Sequence, residues 1–299
     1  MRGWLALLLF MGCSEAEAKH HREPMLGVYV GNDPSELPKF ERWLGRAVDG
    51  HQVHTGNADW DDWQNSIPWQ IELWKDTDRP IFWSIPLIPK GATLEQAARG
   101  EYDDRYSHAA QEIANASSQR ERVFIRTGWE FNAEWQHPCA IGKADRYVAA
   151  YRHFVQSFRA VSRKFVFEWT PNHGDHGMNP ETAYPGDKYV DIIGMDFYYD
   201  LRFDPKDPLE AWKGKVYGPY GLDWLEKFAK KHRKPTAYAE WGVMSDGAGP
   251  YVREAAKWFR HHDVVYQSYW NSNDAYTGKL SDGAHEHAGA AYRESFKGR

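Results

Sequence analysis

Two short stretches hold the residues best suited to chemistry. "FIRTGWEFNAEWQ", Phe124 to Gln136, places Arg126, Trp129, Glu130, Asn132 and Trp135 just past an apolar run. "PTAYAEWGVM", Pro235 to Met244, brings Glu240 and Trp241 to the end of another. A carboxylate at the end of a buried strand is costly to desolvate unless a partner or a reaction needs it. Two of them suit a reaction in which one is protonated, to donate to a leaving oxygen, while the other is ionised, to attack carbon. Residues two apart on a strand share a face. Arg126, Gly128 and Glu130 are therefore expected to point the same way, Arg126 one layer deeper, and Tyr238 is expected below Glu240. Arg126 would hold Glu240 as an anion, and that would help push the two carboxyl pKa values apart. The plainer reading makes both residues ordinary rim carboxylates, the common fate of a lone Glu at a strand end. Two such Glu, each beside Trp, move the balance toward chemistry.

Such groups need a frame. Strand patterns, short and rich in β-branched and aromatic residues, run over Met25–Gly31, His51–Gly56, Arg79–Pro89 and Arg122–Phe131. They continue over Lys164–Asn172, Val190–Tyr199, Pro235–Val243 and Val264–Asn273, with His51–Gly56 the weakest pattern. Amphipathic helical patterns lie between them. In Lys143–Ser162, Tyr147, Tyr151, Phe154, Val155 and Phe158 fall on one helical face. Further helices are expected over Asp103–Arg120, Gly221–His232, Gly249–His262 and Glu286–Phe296. Eight strands, each followed by a helix or long loop, predict a single-domain α/β fold, a (β/α)8 TIM barrel over residues 24–299, with its site at the C-terminal ends of the strands. The alternative, a doubly wound open sheet, loses support because no G-x-G-x-x-G follows the first strand.

Composition narrows the function. The 299 residues carry 37 basic and 42 acidic side chains, a net charge of -5, without the basic excess expected of a nucleic-acid binder. Fifteen Trp exceed what a core of this size usually takes, because a buried indole N–H needs a partner. Trp-rich clefts suit flat amphipathic ligands such as sugar rings, although a large aromatic core accounts for about half of them. At the N-terminus, Arg2, the apolar run Trp4 to Met11 and "AEA" at Ala16 to Ala18 read as a cleaved signal peptide, residues 1–18, too short to span a bilayer. A second reading makes "FMGC" a lipobox, with a lipoprotein signal over 1–12 and a lipid anchor at Cys13; Phe10 stands where Leu is usual. Either reading predicts a chain that leaves the cytoplasm: secreted, periplasmic or, if lipidated, on the outer surface. Cys139 is then expected to be a free, buried, small hydrophobe in a monomer.

The motifs together resemble glycoside hydrolase family 26, the β-mannanases and related endo-glycanases of the retaining clan A, over nearly the whole mature chain. "RTGWEFN" resembles the family's Arg-x-x-His-Glu-x-Asn signature, "WTPN" its fifth-strand end and "YPGDKYVDIIGMDFYY" its sixth-strand segment. "AEWG" resembles the nucleophile strand and "YWNSN" the eighth. The resemblance implies Glu130 as general acid/base and Glu240 as nucleophile, oriented by Arg126 and Tyr198. Carboxyl groups about 5 to 5.5 Å apart are then expected. It also implies a cleft lined by Trp129, Asn132, Trp135, Trp169, Asn172, Tyr199, Trp241 and Trp270. Tyr199 is the alternative to Tyr198 if the pleat is off by one, and core packing is the alternative for each Trp. Trp129 departs from the family, whose His there reaches the sugar on the glycone side, and so leaves the β-glycan open: mannan, mixed-linkage glucan, xylan or a bacterial exopolysaccharide. No cofactor is implied. "NHGDHG", Asn172 to Gly177, offers three ligands at most and reads as a polar sugar-contacting loop rather than a metal site. "HEH" at His285 to His287 reads as a helix start, and "DWDDW" at Asp59 to Trp63 as another. The competing functions are a carbohydrate-binding barrel without catalysis and an accessory protein of exopolysaccharide production.

Overall fold

A computed structural model describes residues 23–298. The leader readings, Cys13 included, fall outside these residues. Eight parallel strands close into a barrel in chain order: β1 (Met25–Tyr29), β2 (Gly50–His54), β3 (Ile81–Ile85), β4 (Val123–Thr127), β5 (Phe165–Trp169), β6 (Ile192–Tyr199), β7 (Thr236–Val243) and β8 (Val264–Trp270). Helices α1 (Glu36–Leu44) and α2 (Trp60–Leu73) follow β1 and β2, and α3 (Leu94–Ala98) and α4 (Asp103–Ala116) follow β3. α5 (Ala144–Val161) follows β4, α6 (Pro208–Tyr217) and α7 (Leu222–His232) follow β6, α8 (Gly249–His261) follows β7, and α9 (Glu286–Phe296) follows β8. The expected barrel is present, and the open sheet is excluded by the β1–β8 pairing, Met25 beside Tyr266 through Tyr29 beside Trp270.

The helices form where apolar residues recur at helical spacing and where an end can be capped. α5 buries Tyr147, Tyr151, Phe154, Val155 and Phe158, the stripe expected from the sequence. Each such side chain contributes roughly 1.5–3 kcal/mol on burial. α2 starts at Asp59, whose carboxylate accepts the Asp62 N–H and satisfies one of the free donors of the first turn. α9 starts beside His285, and the backbone N–H of His287 donates to Asp246 at 2.7 Å.

Side chains alternate between the helix layer and the barrel interior, as a pleat requires. Phe82, Phe124, Ile192, Ala237, Ala239 and Tyr266 plug the lower interior. Ser84 and Arg126 lie two residues beyond Phe82 and Phe124 and are buried too, as are Glu168 and Asp196, so the upper interior is polar. The alternation breaks once where it matters. Between the pairs Gly194–Ala237 and Asp196–Glu240, β7 has one residue more than β6. This bulge turns Glu240 toward the mouth although Ala239 already faces inward. Tyr238 is therefore not below Glu240. It packs among the helices, takes the Trp258 Nε1–H at 2.7 Å and donates to Glu226 at 2.7 Å.

Candidate active site

Strand β4 ends at Thr127, three residues before Glu130, so pleat alternation does not place that residue. Gly128 at φ 58° and Glu130 at φ 52° are both left-handed. The turn folds the chain back over β5, and the Glu130 N–H donates to the Thr170 carbonyl at 2.8 Å. Gly128 is needed twice over. Its φ suits glycine, and a Cβ there would stand 3.0 Å from the Tyr147 ring and hydroxyl, whose proton goes to the Gly128 carbonyl at 2.8 Å.

Arg126 is 1% exposed and engaged along its whole guanidinium. Nη2 donates to Glu240 Oε2 at 2.8 Å, Nη1 meets both Asp196 oxygens at 2.7 and 2.6 Å, and Nε donates to Ser84 Oγ at 3.0 Å. The Trp129 ring lies 4.9 Å from the guanidinium carbon, a cation–π contact. The other oxygen of Glu240 accepts the Tyr198 hydroxyl at 2.6 Å. Glu130 receives neutral donors only: Asn172 Nδ2 at 2.6 Å on one oxygen and Trp135 Nε1 at 3.1 Å on the other.

That difference separates the two carboxyls. Burial and the nearby Glu240 charge push Glu130 up to about 7, against the pull of Trp135, Asn172 and Arg126. Burial alone would raise Glu240 as well, but the adjoining Arg126 cation and the Tyr198 hydroxyl hold it below the ordinary carboxylate value. Near neutrality one carboxyl is thus able to carry a proton while its neighbour is an anion. His54 completes the wall at the end of β2. Burial, aided by Arg126, lowers it to about 3, so it faces Glu240 as a neutral ring. Its edge meets Tyr29 at 5.2 Å, Trp270 at 5.2 Å and Trp129 at 5.4 Å, forming an aromatic box beside Glu240.

The structure brings together Arg126, Trp129, Glu130, Trp135, Asn172, Tyr198, Glu240 and Trp270. Trp135 is 63% exposed and overhangs Glu130, whereas Trp270 is largely covered by Tyr29, 4.0 Å away between ring centres. Four expected cleft residues lie elsewhere. Trp169 is buried against Phe131, Tyr184 and Phe228, with its N–H on the Ala183 carbonyl. Trp241 is buried against Phe197, Phe259 and Tyr269, with its N–H on Gln267. Tyr199 faces outward onto Tyr251 and donates to the Pro205 and Lys206 carbonyls. All three occupy the outward phase of their strands. Asn132 is buried behind Asn172: it donates to the Asn172 carbonyl and accepts the Asn172 N–H, so it braces the residue that touches Glu130.

His173 Nε2 meets the Lys215 carbonyl and His176 Nε2 meets Asn172 Oδ1, so the "NHGDHG" loop supports Asn172. Among the described residues no group of three or more His, Cys, Asp or Glu gathers as a metal set would. Cys139 is free but half-buried rather than buried.

Asp196, His54 and Glu168 were not singled out from the sequence. Asp196 had a signal, since it shares a face with Tyr198 two residues on. Glu168 accepts from Thr170 at 2.7 Å and from Tyr266, and burial raises its pKa.

Trp135 supplies a testable handle. Its N–H favours the ionised form of Glu130. Trp135→Phe should raise the Glu130 pKa, by less than about one unit because the indole is exposed. Carboxyl-carbon NMR titration of Glu130 checks this; an unmoved midpoint means that the indole does not govern the proton.

Residues 93–211 match the model of Glycosyl hydrolase family 26, a span that contains Arg126, Glu130, Asp196 and Tyr198 but not Glu240. Endoglucanase H of Acetivibrio thermocellus is 28% identical over 187 residues, 58% of this chain and 19% of that protein, so the chain spans about a fifth of that relative's length. The Bacillus subtilis mannanase man26 structure superposes with a TM-score of 0.62 at 15% identity, covering 91% of this chain and 85% of that one. A modular endo-beta-1,4-mannanase from Cellulomonas fimi gives 0.63 at 16%, covering 90% and 71%. At such identities the superpositions speak for the fold. The chain is thus similar to glycosyl hydrolase family 26 over residues 93–211, the part that carries Arg126, Glu130, Asp196 and Tyr198.

Proposed function

We propose that the protein is an exported, retaining endo-β-glycosidase that cleaves a β-linked polysaccharide by double displacement. One observation carries this reading: Glu240, held ionised by Arg126 and Tyr198, shares the barrel mouth with Glu130, whose pKa sits near 7 among neutral donors. In the first step Glu240 attacks the anomeric carbon while the Glu130 proton passes to the departing glycosidic oxygen. The C–O bond to the leaving sugar breaks and an ester to Glu240 forms. In the second step the Glu130 carboxylate takes a proton from water, the water oxygen displaces the ester, and Glu240 returns as a carboxylate. Arg126 keeps a partner throughout. Burial and the Glu240 charge raise the Asp196 pKa against the pull of Arg126; when Glu240 becomes a neutral ester that repulsion goes, and Asp196 still meets the guanidinium.

The leader read over residues 1–18 supports a secreted or periplasmic location. The glycan belongs to the same proposal: a β-mannan-like polymer, a mixed-linkage β-glucan or a bacterial exopolysaccharide. Similarity to a protein named as an endoglucanase adds weight to glucan. Hydrolysis of β-mannan, mixed-linkage glucan, xylan and an exopolysaccharide of the producing cell, with product sizing, tests the reading. Proton NMR of the first-formed anomer tests retention. Inverted product, or no hydrolysis of any polymer, overturns it.

Trp129 is the place to change specificity. Its ring stands beside His54 and over Arg126, at the position that the resemblance assigns to the glycone side. Trp129→His replaces the indole with a hydrogen-bonding ring. Relative kcat/KM among the glycans should shift by roughly 3- to 10-fold, the net worth of about one hydrogen bond to the sugar made or missing. An unchanged profile would make the residue packing alone.

A further inference from the structure

The segment 271–285, between β8 and α9, is tied down along its length. Asn271 Oδ1 accepts the Leu280 and Ser281 N–H groups, and its amide donates to Ser281 Oγ at 2.8 Å. Asn273 Oδ1 takes the Lys279 N–H, Tyr269 donates to the Gly278 carbonyl at 2.9 Å, and Lys279 reaches Glu36 at 2.7 Å. This strap carries one ring inward, that of Tyr276. The ring meets Tyr198 edge-on, 4.6 Å between centres and 75° between planes. Tyr198 is the residue whose hydroxyl donates to Glu240.

Two glycines make room for it. A Cβ on Gly242, two residues past Glu240 on the same strand, would overlap the Tyr276 hydroxyl, and it would also press on Tyr198 at 3.0 Å. A Cβ on Gly278 would overlap the ring of Tyr276 itself. Both glycines therefore have a steric reason beyond backbone freedom. The Tyr276 hydroxyl makes a long contact, 3.4 Å, to the Trp270 carbonyl and lies close to Tyr198 and Glu240, so both its ring and its hydroxyl bear on Tyr198.

We propose that Tyr276 is a positioning residue of the nucleophile: the strap wedges its ring between Gly242 and Tyr198 and so holds the Tyr198 hydroxyl on Glu240. The inference rests on Glu240 acting as the nucleophile. Glu240 must be ionised to attack, so activity falls as pH drops through its pKa. A hydroxyl donated to the carboxylate lowers that pKa. Losing the wedge lets Tyr198 swing, weakens the donation and moves the acid limb of kcat/KM to higher pH.

The experiment uses the full chain and whichever of 2,4-dinitrophenyl β-cellobioside or β-mannobioside the wild-type protein cleaves. Tyr276→Leu, which fills volume without the flat edge, should move the acid limb up by about half to one unit and slow trapping by the matching 2-deoxy-2-fluoro glycoside about 3- to 10-fold. Gly242→Ala, whose added Cβ meets both the Tyr276 hydroxyl and Tyr198, should move the limb at least as far. Tyr198→Phe should shift the limb at least as far, and Tyr276→Leu added to it should shift it no further, because both act through one hydroxyl. An acid limb unmoved in Tyr276→Leu overturns the proposal, as does full additivity with Tyr198→Phe. A variant that melts early with an unmoved limb also overturns it. If the wild-type protein forms no trapped intermediate, the nucleophile reading fails instead, and the two failures are distinct.

Discussion

Glu240→Ala is expected to abolish turnover of every glycan, with a loss on the order of 10⁶-fold, the scale at which enzymes that form a covalent intermediate lose rate without their nucleophile. No neighbouring group can take its place. Arg126 and Tyr198 each hold one oxygen of Glu240, and His54, the next polar group at that edge, is a neutral ring. Asp196 is fully buried beneath the guanidinium and cannot reach out to a sugar. The fold should survive, because Arg126 remains paired with Asp196 and Tyr198 is half-buried with access to water. Melting curves and single-turnover assays check both halves. Azide, if it acts at all, should attack from the vacated side and give the α-glycosyl azide.

Glu130→Ala should fail in a different way. On polysaccharide the loss should be about 10²- to 10⁴-fold or more, the usual worth of general acid–base help. An activated aryl glycoside needs little protonation, so its first step should survive as a burst and the glycosyl-enzyme should accumulate. Azide needs no base and should release it as the β-glycosyl azide. The pH profile adds a signature. A group with a pKa raised to about 7 carries its proton below that value, so wild-type kcat/KM should decline as pH rises through about 7. The basic limb should vanish in Glu130→Ala on the aryl substrate. Exchanged azide stereochemistry between the two variants would swap the roles, and wild-type rates in both would leave the carboxylates with a structural role alone.

The barrel was legible because strand and helix periods are local properties, and all eight strand patterns correspond to strands. Their C-terminal ends were not. The pattern over Arg122–Phe131 runs on past Thr127 because Trp129 and Phe131 are as apolar as the strand, yet a left-handed Gly128 has already turned the chain. Glu240 lay at the right strand end, but a bulge placed it rather than simple alternation, and nothing in "TAYAEWGV" marks an extra residue. Trp169, Trp241 and Tyr199 were placed in the cleft by proximity to it in sequence. One step along a strand moves a side chain to the other face, and these three fill the space beneath the helices. Asp196 and His54 meet Arg126 across the barrel, over 70 and 72 residues of chain. Pairings at that range are invisible to periodicity.

The left-handed backbone at Glu130 also bears on any attempt to harden the protein. A non-glycine residue at φ 52° is held at a cost of about 1–3 kcal/mol, which the rest of the fold must offset. Glycine, or asparagine with its tolerance for that conformation, would sit there with less strain. The half-buried Glu carboxyl also repels Glu240, and a smaller neutral side chain would not. Heat resistance and turnover are thus set against each other at one position. A library sorted only by survival at high temperature would drift toward Gly or Asn at 130 and collect inert barrels. Such a programme has to score product formation in the same round, or keep codon 130 out of the mutagenesis.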